Sequence, residues 1–138
     1  MITLRELLHG TDFKVLNAEQ LSNINVLMAR INVIREAWGK PMTVTSGFRT
    51  KEDHIRVYEE LAAKRHQPFD PDKVPMGSAH LSGSAVDIAD PDGELLAWCK
   101  ENEAELEKAQ LWCEEKDDQP RVHFQIYPPK SGKRFFHP

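Results

Sequence analysis

The sequence predicts an α+β fold in which about three helices pack with a small antiparallel sheet. A chain of 138 residues that is 40% hydrophobic is long enough for one buried core. One long segment has the apolar spacing of a helix, and several short runs alternate as strands do. We therefore expect one domain over residues 1–138, with the functional motifs in residues 41–128 and a surface tail at residues 129–138.

Three segments have the pattern of helices. Residues 18–38 place apolar side chains at three-and-four spacing, with Asn17 as the cap and Gly39 as the stop signal. A second helix is predicted to follow the cap Thr50 and to end near residue 65, where the chain carries a basic pair. A third is predicted over residues 94–108.

Four segments have the pattern of strands, and a loop rich in proline lies between the second helix and the second strand. The predicted strands are residues 42–46, 84–89, 110–114 and 122–127. The last two are expected to pair as a hairpin. Prolines exclude a helix or a central strand from residues 66–78, and loops of this length in small domains are often functional.

Charge and composition exclude some classes of partner. The chain has 18 basic and 22 acidic side chains and a formal charge of −4, so we expect no nucleic-acid partner. It has no apolar run near the length of a membrane span, and its start lacks the order of a signal peptide. We expect synthesis in the cytoplasm, a monomer, and two partly buried thiols at Cys99 and Cys113.

The segment 78–87, with the letters SAHLSGSAVD, places an imidazole and a carboxylate seven positions apart. Gly83 interrupts regular structure between them, so His80 can fold back from a loop over the strand that holds Asp87. Nitrogen and oxygen donors would then converge on one cation. A turn stabilised by a hydrogen bond between His80 and Asp87 would explain the same residues.

His123 lies on the last predicted strand, where its side chain shares a face with Arg121 and Gln125. If the hairpin closes around residues 116–120, Trp112 lies roughly opposite His123, and Glu114 lies diagonal to it on the same face. Taken alone, His123 could equally be an ordinary, half-exposed strand residue.

Together, these residues predict a metal centre. His80, Asp87 and His123 would hold zinc with an open fourth position for water. Glu114 would be the nearby carboxylate that takes a proton from that water. These are the parts of a metallohydrolase.

Three segments resemble motifs of the zinc D-Ala-D-Ala peptidase family, over roughly residues 41–128. Residues 46–49 (SGFR) resemble the family's S-G-Y-R segment, residues 78–87 fit its S-x-H-x-x-G-x-A-x-D signature, and residues 122–123 (VH) resemble its final ligand motif. The family includes carboxypeptidases, dipeptidases and phage L-alanyl-D-glutamate endolysins, and it shares a fold with hedgehog signalling domains. The resemblance implies that fold around a zinc site.

The resemblance also implies roles for individual residues. One zinc ion would be bound by His80, Asp87 and His123, and Arg49 would contact the scissile carbonyl group and the charge that develops there. A guanidinium at a strand end can stabilise an oxyanion or hold a substrate carboxylate, although a structural salt bridge would also explain it. We expect Ser78 and Gln125 to contribute with Arg49 to substrate binding.

In one position the chain departs from the family pattern. Many members carry the catalytic acid/base three residues before the last histidine, where this chain has Pro120. Some relatives carry a W-x-E stretch upstream, which residues 112–114 (WCE) resemble, so Glu114 is predicted to be the general base. Glu115 and Asp118 are the alternatives.

The expected function is hydrolysis of peptide bonds in peptidoglycan stem peptides, of the D-Ala-D-Ala carboxypeptidase or the L-Ala-D-Glu endolysin type. By analogy with phage- or prophage-encoded enzymes, the protein would reach the bacterial cell wall with help such as a holin, or as part of a virion. The alternative is a non-catalytic zinc-containing structural or wall-binding domain of the same fold.

Other residues are given ordinary roles. His54 and His66 are predicted to be exposed, and residues 130–138 to be a loosely held surface strap. Phe135 and Phe136 are expected to dock this strap onto the domain.

Overall fold

The protein has the α+β fold that its sequence predicts. The computed structural model describes residues 1–115 and 120–137, and within them it contains five α-helices and one five-stranded mixed sheet. The helices are α1 (Leu4–Leu8), α2 (Ala18–Trp38), α3 (Lys51–Lys64), α4 (Glu94–Glu101) and α5 (Glu103–Ala109). Short 3-10 helices lie at Phe13–Val15 and Pro71–Lys73.

The two long helices begin where the sequence predicts. The side chain of Asn17 accepts a hydrogen bond from the backbone of Gln20, whose own side chain accepts from Asn17 N–H, so α2 starts with a capping box. Thr50 caps α3 in the same way by accepting from Asp53 N–H. At the other end of α2, Gly39 adopts a left-handed conformation with φ 77°.

The helix predicted over residues 94–108 is in fact two helices. Asn102 has φ −123° and ψ 43°, and its side-chain amide donates to the carbonyl of Trp98 at 2.9 Å. An asparagine that bonds its own backbone competes with helical pairing, which explains the break between α4 and α5.

The sheet has the strand order β1-β2-β4-β3-β5. Its strands are β1 (Val44–Ser46), β2 (Ala85–Ala89), β3 (Trp112–Glu114), β4 (Arg121–Gln125) and β5 (Phe135–Phe136). All neighbours are antiparallel except β3 and β5, which are parallel. The C-terminal phenylalanines do hold the tail, as predicted, but as an edge strand rather than as a loose strap.

One face of the sheet packs into the core. Val86 pairs with Phe124, and Phe124 pairs with Cys113, and all three are fully buried. They join a cluster that includes Ile24 and Ile31 of α2. Alternation along each strand therefore directs the neighbouring residues to the opposite face.

Two expectations from the composition concern the cysteines and the presence of a membrane-spanning helix. Cys99 and Cys113 are both free and are fully rather than partly buried, and burial raises the pKa of the Cys99 thiol to about 12. No helix within residues 1–115 and 120–137 has the length and apolar character required to cross a membrane.

Gly47 lies where the chain passes closest to α1. A Cβ atom at this position would lie 2.1 Å from the carbonyl oxygen of Leu7. That oxygen also accepts the N–H of Phe48 at 2.8 Å, so neither backbone segment can retreat without losing a hydrogen bond.

We expect Gly47→Ala to destabilise the fold by about 1–3 kcal/mol, because the added methyl group overlaps backbone atoms. Gly77→Ala is the matched control, since a Cβ there meets nothing within 4 Å. Thermal unfolding of both variants checks the prediction. Equal melting temperatures for Gly47→Ala and the parent would contradict it.

Candidate metal centre and active site

One row of paired residues crosses all five strands. Ser46 pairs with Asp87, Asp87 with His123, His123 with Glu114, and Glu114 with Phe136. Residues directly paired on neighbouring strands project from the same face of a sheet. We call these five residues the site row. It occupies the face opposite the core, and it brings together residues that are far apart in the sequence.

The side chain of His80 converges with two side chains of the site row, Asp87 and His123. His80, Asp87 and His123 each offer one ligand atom, and these atoms lie within 4.8 Å of one another. His80 Nε2 is 3.4 Å from Asp87 Oδ2, and His123 Nδ1 is 2.9 Å from Asp87 Oδ1. Ligand atoms around a tetrahedral zinc ion lie about 3.3 Å apart. Two imidazoles and a carboxylate at this spacing fit a divalent metal such as zinc.

His80 is oriented by the segment that contains Gly47. The Nδ1–H of His80 donates to the Gly47 carbonyl oxygen at 2.8 Å, which directs the Nε2 lone pair towards Asp87. The backbone of His80 is held as well, because its carbonyl accepts from Arg49 N–H at 3.1 Å and its N–H donates to Ser78 Oγ at 3.3 Å. Such remote N–H contacts fix the tautomer of metal-binding histidines.

His123 is oriented by Gln125. The Gln125 amide nitrogen donates to the carbonyl of Tyr127 at 2.8 Å, so the amide oxygen is the group that faces His123. That oxygen lies 2.9 Å from His123 Nε2 and accepts its hydrogen. The other ring nitrogen, Nδ1, consequently faces Asp87 and is the one available to a metal.

Burial and hydrogen bonds shift the pKa values of all three residues in this cluster. Burial raises the pKa of Asp87, but hydrogen bonds from His123 and His80 outweigh burial and hold that pKa well below its usual range. Burial lowers the pKa of His80. Burial acts in the same direction on His123, but its hydrogen bond to Asp87 raises the pKa of His123 above its ordinary value.

Both ring nitrogens of His123 face oxygen acceptors, Asp87 Oδ1 and Gln125 Oε1. An imidazole that carries hydrogen on both ring nitrogens donates to both acceptors. A metal ion bound at Nδ1 would displace that proton, so its affinity would depend on pH.

We expect Gln125→Ala to weaken zinc binding by about 10- to 100-fold, because the Nε2–H of His123 loses its acceptor. Gln67→Ala is the control, since Gln67 is exposed in the 66–78 loop. Competition against a chromogenic chelator measures the affinity. Equal zinc affinities for Gln125→Ala and the parent would show that Gln125 does not orient His123.

Arg49 lies three residues after the end of β1, and its guanidinium reaches Asp87 of the candidate ligand group. Its Nε donates to Ser46 Oγ at 3.0 Å, its Nη1 donates to His54 Nδ1 at 3.4 Å, and its Nη2 lies 4.0 Å from Asp87 Oδ2. The side chain is 16% exposed. Burial lowers its pKa, but a guanidinium remains charged at any physiological pH. The contact to Asp87 is long, so the guanidinium can still bind an additional oxygen.

Glu114 lies closer to His123 than the sequence predicts. The predicted register, with Trp112 opposite His123, is wrong: Trp112 pairs with Gln125, and Glu114 pairs directly with His123. The charge of Glu114 contributes to the raised pKa of His123. A slip of two residues keeps side chains on the same face, so Glu114 remains on the face predicted for it.

Of the two alternative acids, Glu115 lies within the described residues and has its own partners. Glu115 forms an ion pair with Lys100, and its carboxylate is 3.9 Å from His137 Nε2. The hydrogen bond from Lys100 lowers the pKa of Glu115. Asp118 lies outside the described residues. Glu114 is therefore the acid that the site row places beside His123.

Arg121 adds a second guanidinium to the cluster, a contact that the sequence did not predict. It lies two residues before His123 on β4, and its Nε is 3.5 Å from Asp87 Oδ2. Arg49, Arg121 and Ser46 contribute to the lining of a cavity of about 430 Å³. Arg56 also lines this cavity, together with the acidic residues Asp53 and Glu60, so the two guanidiniums that approach Asp87 border a cavity of mixed charge.

His54 was predicted to be exposed, and this prediction is wrong. Its ring is fully buried in α3, while His66 is exposed as predicted. A signal was present in the sequence, because His54, Tyr58 and Leu61 follow i, i+4, i+7 spacing, which places the imidazole on the apolar face of the helix.

Comparisons with known proteins find similarity among solved structures only. No protein-family model matches the chain, and no curated relative is found. Among solved structures, the chain is similar to the Serratia marcescens L-Ala D-Glu endopeptidase ChiX, with 19% sequence identity and a TM-score of 0.45. The match covers 81% of this chain and 89% of that chain. At this level of identity, residue roles are not transferred.

Proposed function

We propose that this chain is a zinc-dependent peptidase that hydrolyses peptide bonds in peptidoglycan stem peptides. One observation carries the proposal: the imidazoles of His80 and His123 face the carboxylate of Asp87, and a backbone or side-chain acceptor fixes the outer nitrogen of each ring. A structural salt bridge does not need two oriented imidazoles, whereas a metal centre does.

The three ligands would hold one zinc ion. Zinc there would supply a Lewis acid that makes water a better nucleophile and polarises a substrate carbonyl group. Three protein ligands leave one position for water or substrate, which is the arrangement of catalytic rather than structural zinc sites.

Two further residues would perform the proton transfer and charge stabilisation. Glu114, paired with His123, would accept a proton from the attacking water and return it to the leaving amine. Arg49 would stabilise the negative charge that develops on the carbonyl oxygen, because its guanidinium is held by Ser46 and His54 close to the ligands.

The substrate class follows from the motifs in residues 46–49 and 78–87, which resemble those of the zinc D-Ala-D-Ala peptidases. The bond would be D-Ala-D-Ala or L-Ala-D-Glu, and Ser78 and Gln125 would assist binding. We place the action at the bacterial cell wall and the origin in a phage or prophage, on the same resemblance.

Digestion of purified muropeptides tests this function. Protein loaded with zinc, stripped with a chelator, or reloaded with zinc is incubated with muropeptides that contain both candidate bonds, and the products are identified by mass spectrometry. We expect one new fragment pair that disappears on stripping and returns with zinc. Intact muropeptides with the zinc-bound protein would overturn the proposal, and sedimentation with sacculi in that case would favour a wall-binding domain.

A further inference from the structure

His54 is a fully buried polar residue that the proposed reaction does not use. It lies one turn into α3, and its ring packs edge-on against Tyr58 with the ring centroids 5.0 Å apart. Burying an imidazole without partners is unfavourable, so its contacts account for its place in the apolar interior.

Each ring nitrogen of His54 has one partner. Nε2 lies 2.8 Å from the carbonyl oxygen of Pro75, which can only accept, so the ring hydrogen is on Nε2. Nδ1 then carries a lone pair and accepts from Arg49 Nη1 at 3.4 Å. One neutral tautomer satisfies both contacts.

The two partners belong to different parts of the molecule. Arg49 is the cation beside the metal ligands. Pro75 lies in the 66–78 loop, which leads from α3 to the turn that carries His80. A cavity of about 590 Å³ lies between α3 and this loop, and Tyr58 and Val74 are among its lining residues. His54 therefore links the loop that lines this cavity to the guanidinium of Arg49.

We propose that His54 is a positioning residue that couples the 66–78 loop to Arg49. Through Nδ1 it fixes the rotation of the guanidinium, so that Nη1 faces His54 and Nη2 faces Asp87. Through Nε2 it holds the loop against α3, where the loop can support a bound peptide. This inference rests on the proposed function for its effect on the reaction, but the two contacts can be tested without substrate.

Two isosteric variants separate the two contacts. Asparagine places its terminal polar atoms near the position of Nδ1, so His54→Asn retains an acceptor for Arg49 and loses the donor to Pro75. Glutamine places them near Nε2, so His54→Gln retains the donor to Pro75 and loses the acceptor. Both remove the ring packing against Tyr58, so loss of packing is matched between them.

The kinetic test compares kcat and KM of both variants with those of the parent on the cleaved muropeptide. We expect His54→Gln to lower kcat by roughly 10- to 100-fold with little change in KM, because a misplaced catalytic group slows the chemical step. We expect His54→Asn to raise KM with kcat near that of the parent. Equal changes in both variants would reduce His54 to a packing residue and overturn the proposal.

Two readouts apply even if the parent cleaves no muropeptide. Trypsin cuts after the exposed Lys73 in the loop, and we expect faster cutting in His54→Asn than in His54→Gln. Rotation of the Arg49 guanidinium, followed by NMR on arginine-labelled protein, is expected to be faster in His54→Gln. If the two variants do not differ in these readouts, the coupling is wrong. If they differ as expected and the parent is inactive, only the proposed function fails.

Discussion

Replacing Glu114 with glutamine is expected to lower kcat for muropeptide cleavage by about 10²- to 10⁴-fold, the usual contribution of a general base. Glutamine retains the size and the strand position of Glu114 but cannot accept a proton at neutral pH. Because Glu114 pairs with His123 without belonging to the three-residue ligand group, zinc content is expected to equal that of the parent. Steady-state kinetics and elemental analysis on the same preparation measure both quantities.

Glu115→Gln is the matched control. Glu115 is the next residue in the chain, but it forms an ion pair with Lys100, so this variant is expected to cleave at nearly the parent rate. Loss of activity in Glu115→Gln together with retained activity in Glu114→Gln would show that Glu114 is not the general base. Full activity in both variants would indicate that Asp118 is the general base, and Asp118→Asn would test this.

Arg49→Lys is expected to lower kcat by about 10²- to 10³-fold, the usual effect of removing one oxyanion donor. Lysine retains the charge, but it cannot donate to Ser46 and His54 at the same time as it faces the metal ligands. The ligand atoms themselves are unchanged, so we expect zinc affinity within a few-fold of the parent value. Kinetics and a zinc titration check the two halves of this prediction.

Arg56→Lys is the control for Arg49→Lys. Arg56 lines the same cavity, but it is largely exposed and pairs with Asp53 on its own helix. Such surface pairs contribute little, so activity near that of the parent is expected. Equal losses in the two variants would indicate that any change from arginine to lysine in this cavity lowers activity, and the specific role of Arg49 would be wrong.

The parts of the fold that could be predicted from the sequence are those with local signals. The start of α2 is determined by the capping box of Asn17 and Gln20, and that of α3 by Thr50. The convergence of His80 and Asp87 was also predictable, because the sequence places Gly83 between them. In the structure Gly83 adopts φ 75°, a conformation that favours glycine.

The parts that could not be predicted depend on tertiary contacts. Helix α1 has only five residues, too few to show a period. Strand β5 has two residues, Phe135–Phe136, and it exists because β3 offers an open edge for pairing. The pairing of Glu114 with His123 was missed by two positions, because a turn of unknown length does not fix the register.

The buried state of His54 shows the same limit within the site. Its place on the apolar face of α3 was visible in the sequence, but its two partners were not. Arg49 and Pro75 reach it from segments on either side of the helix in the sequence. The residues next to His54 in the sequence do not indicate that its imidazole contacts either segment.

The zinc content of the purified protein is the most direct test of the proposed metal centre. The parent, His80→Ala, Asp87→Ala, His123→Ala and the exposed-residue control His66→Ala are purified without chelators, supplied with zinc, desalted and measured by elemental mass spectrometry. We expect about one zinc ion per chain in the parent and in His66→Ala, and almost none in the other three variants, because three-ligand sites rarely survive loss of a ligand. A parent without zinc, or the same zinc content in all five proteins, would contradict it.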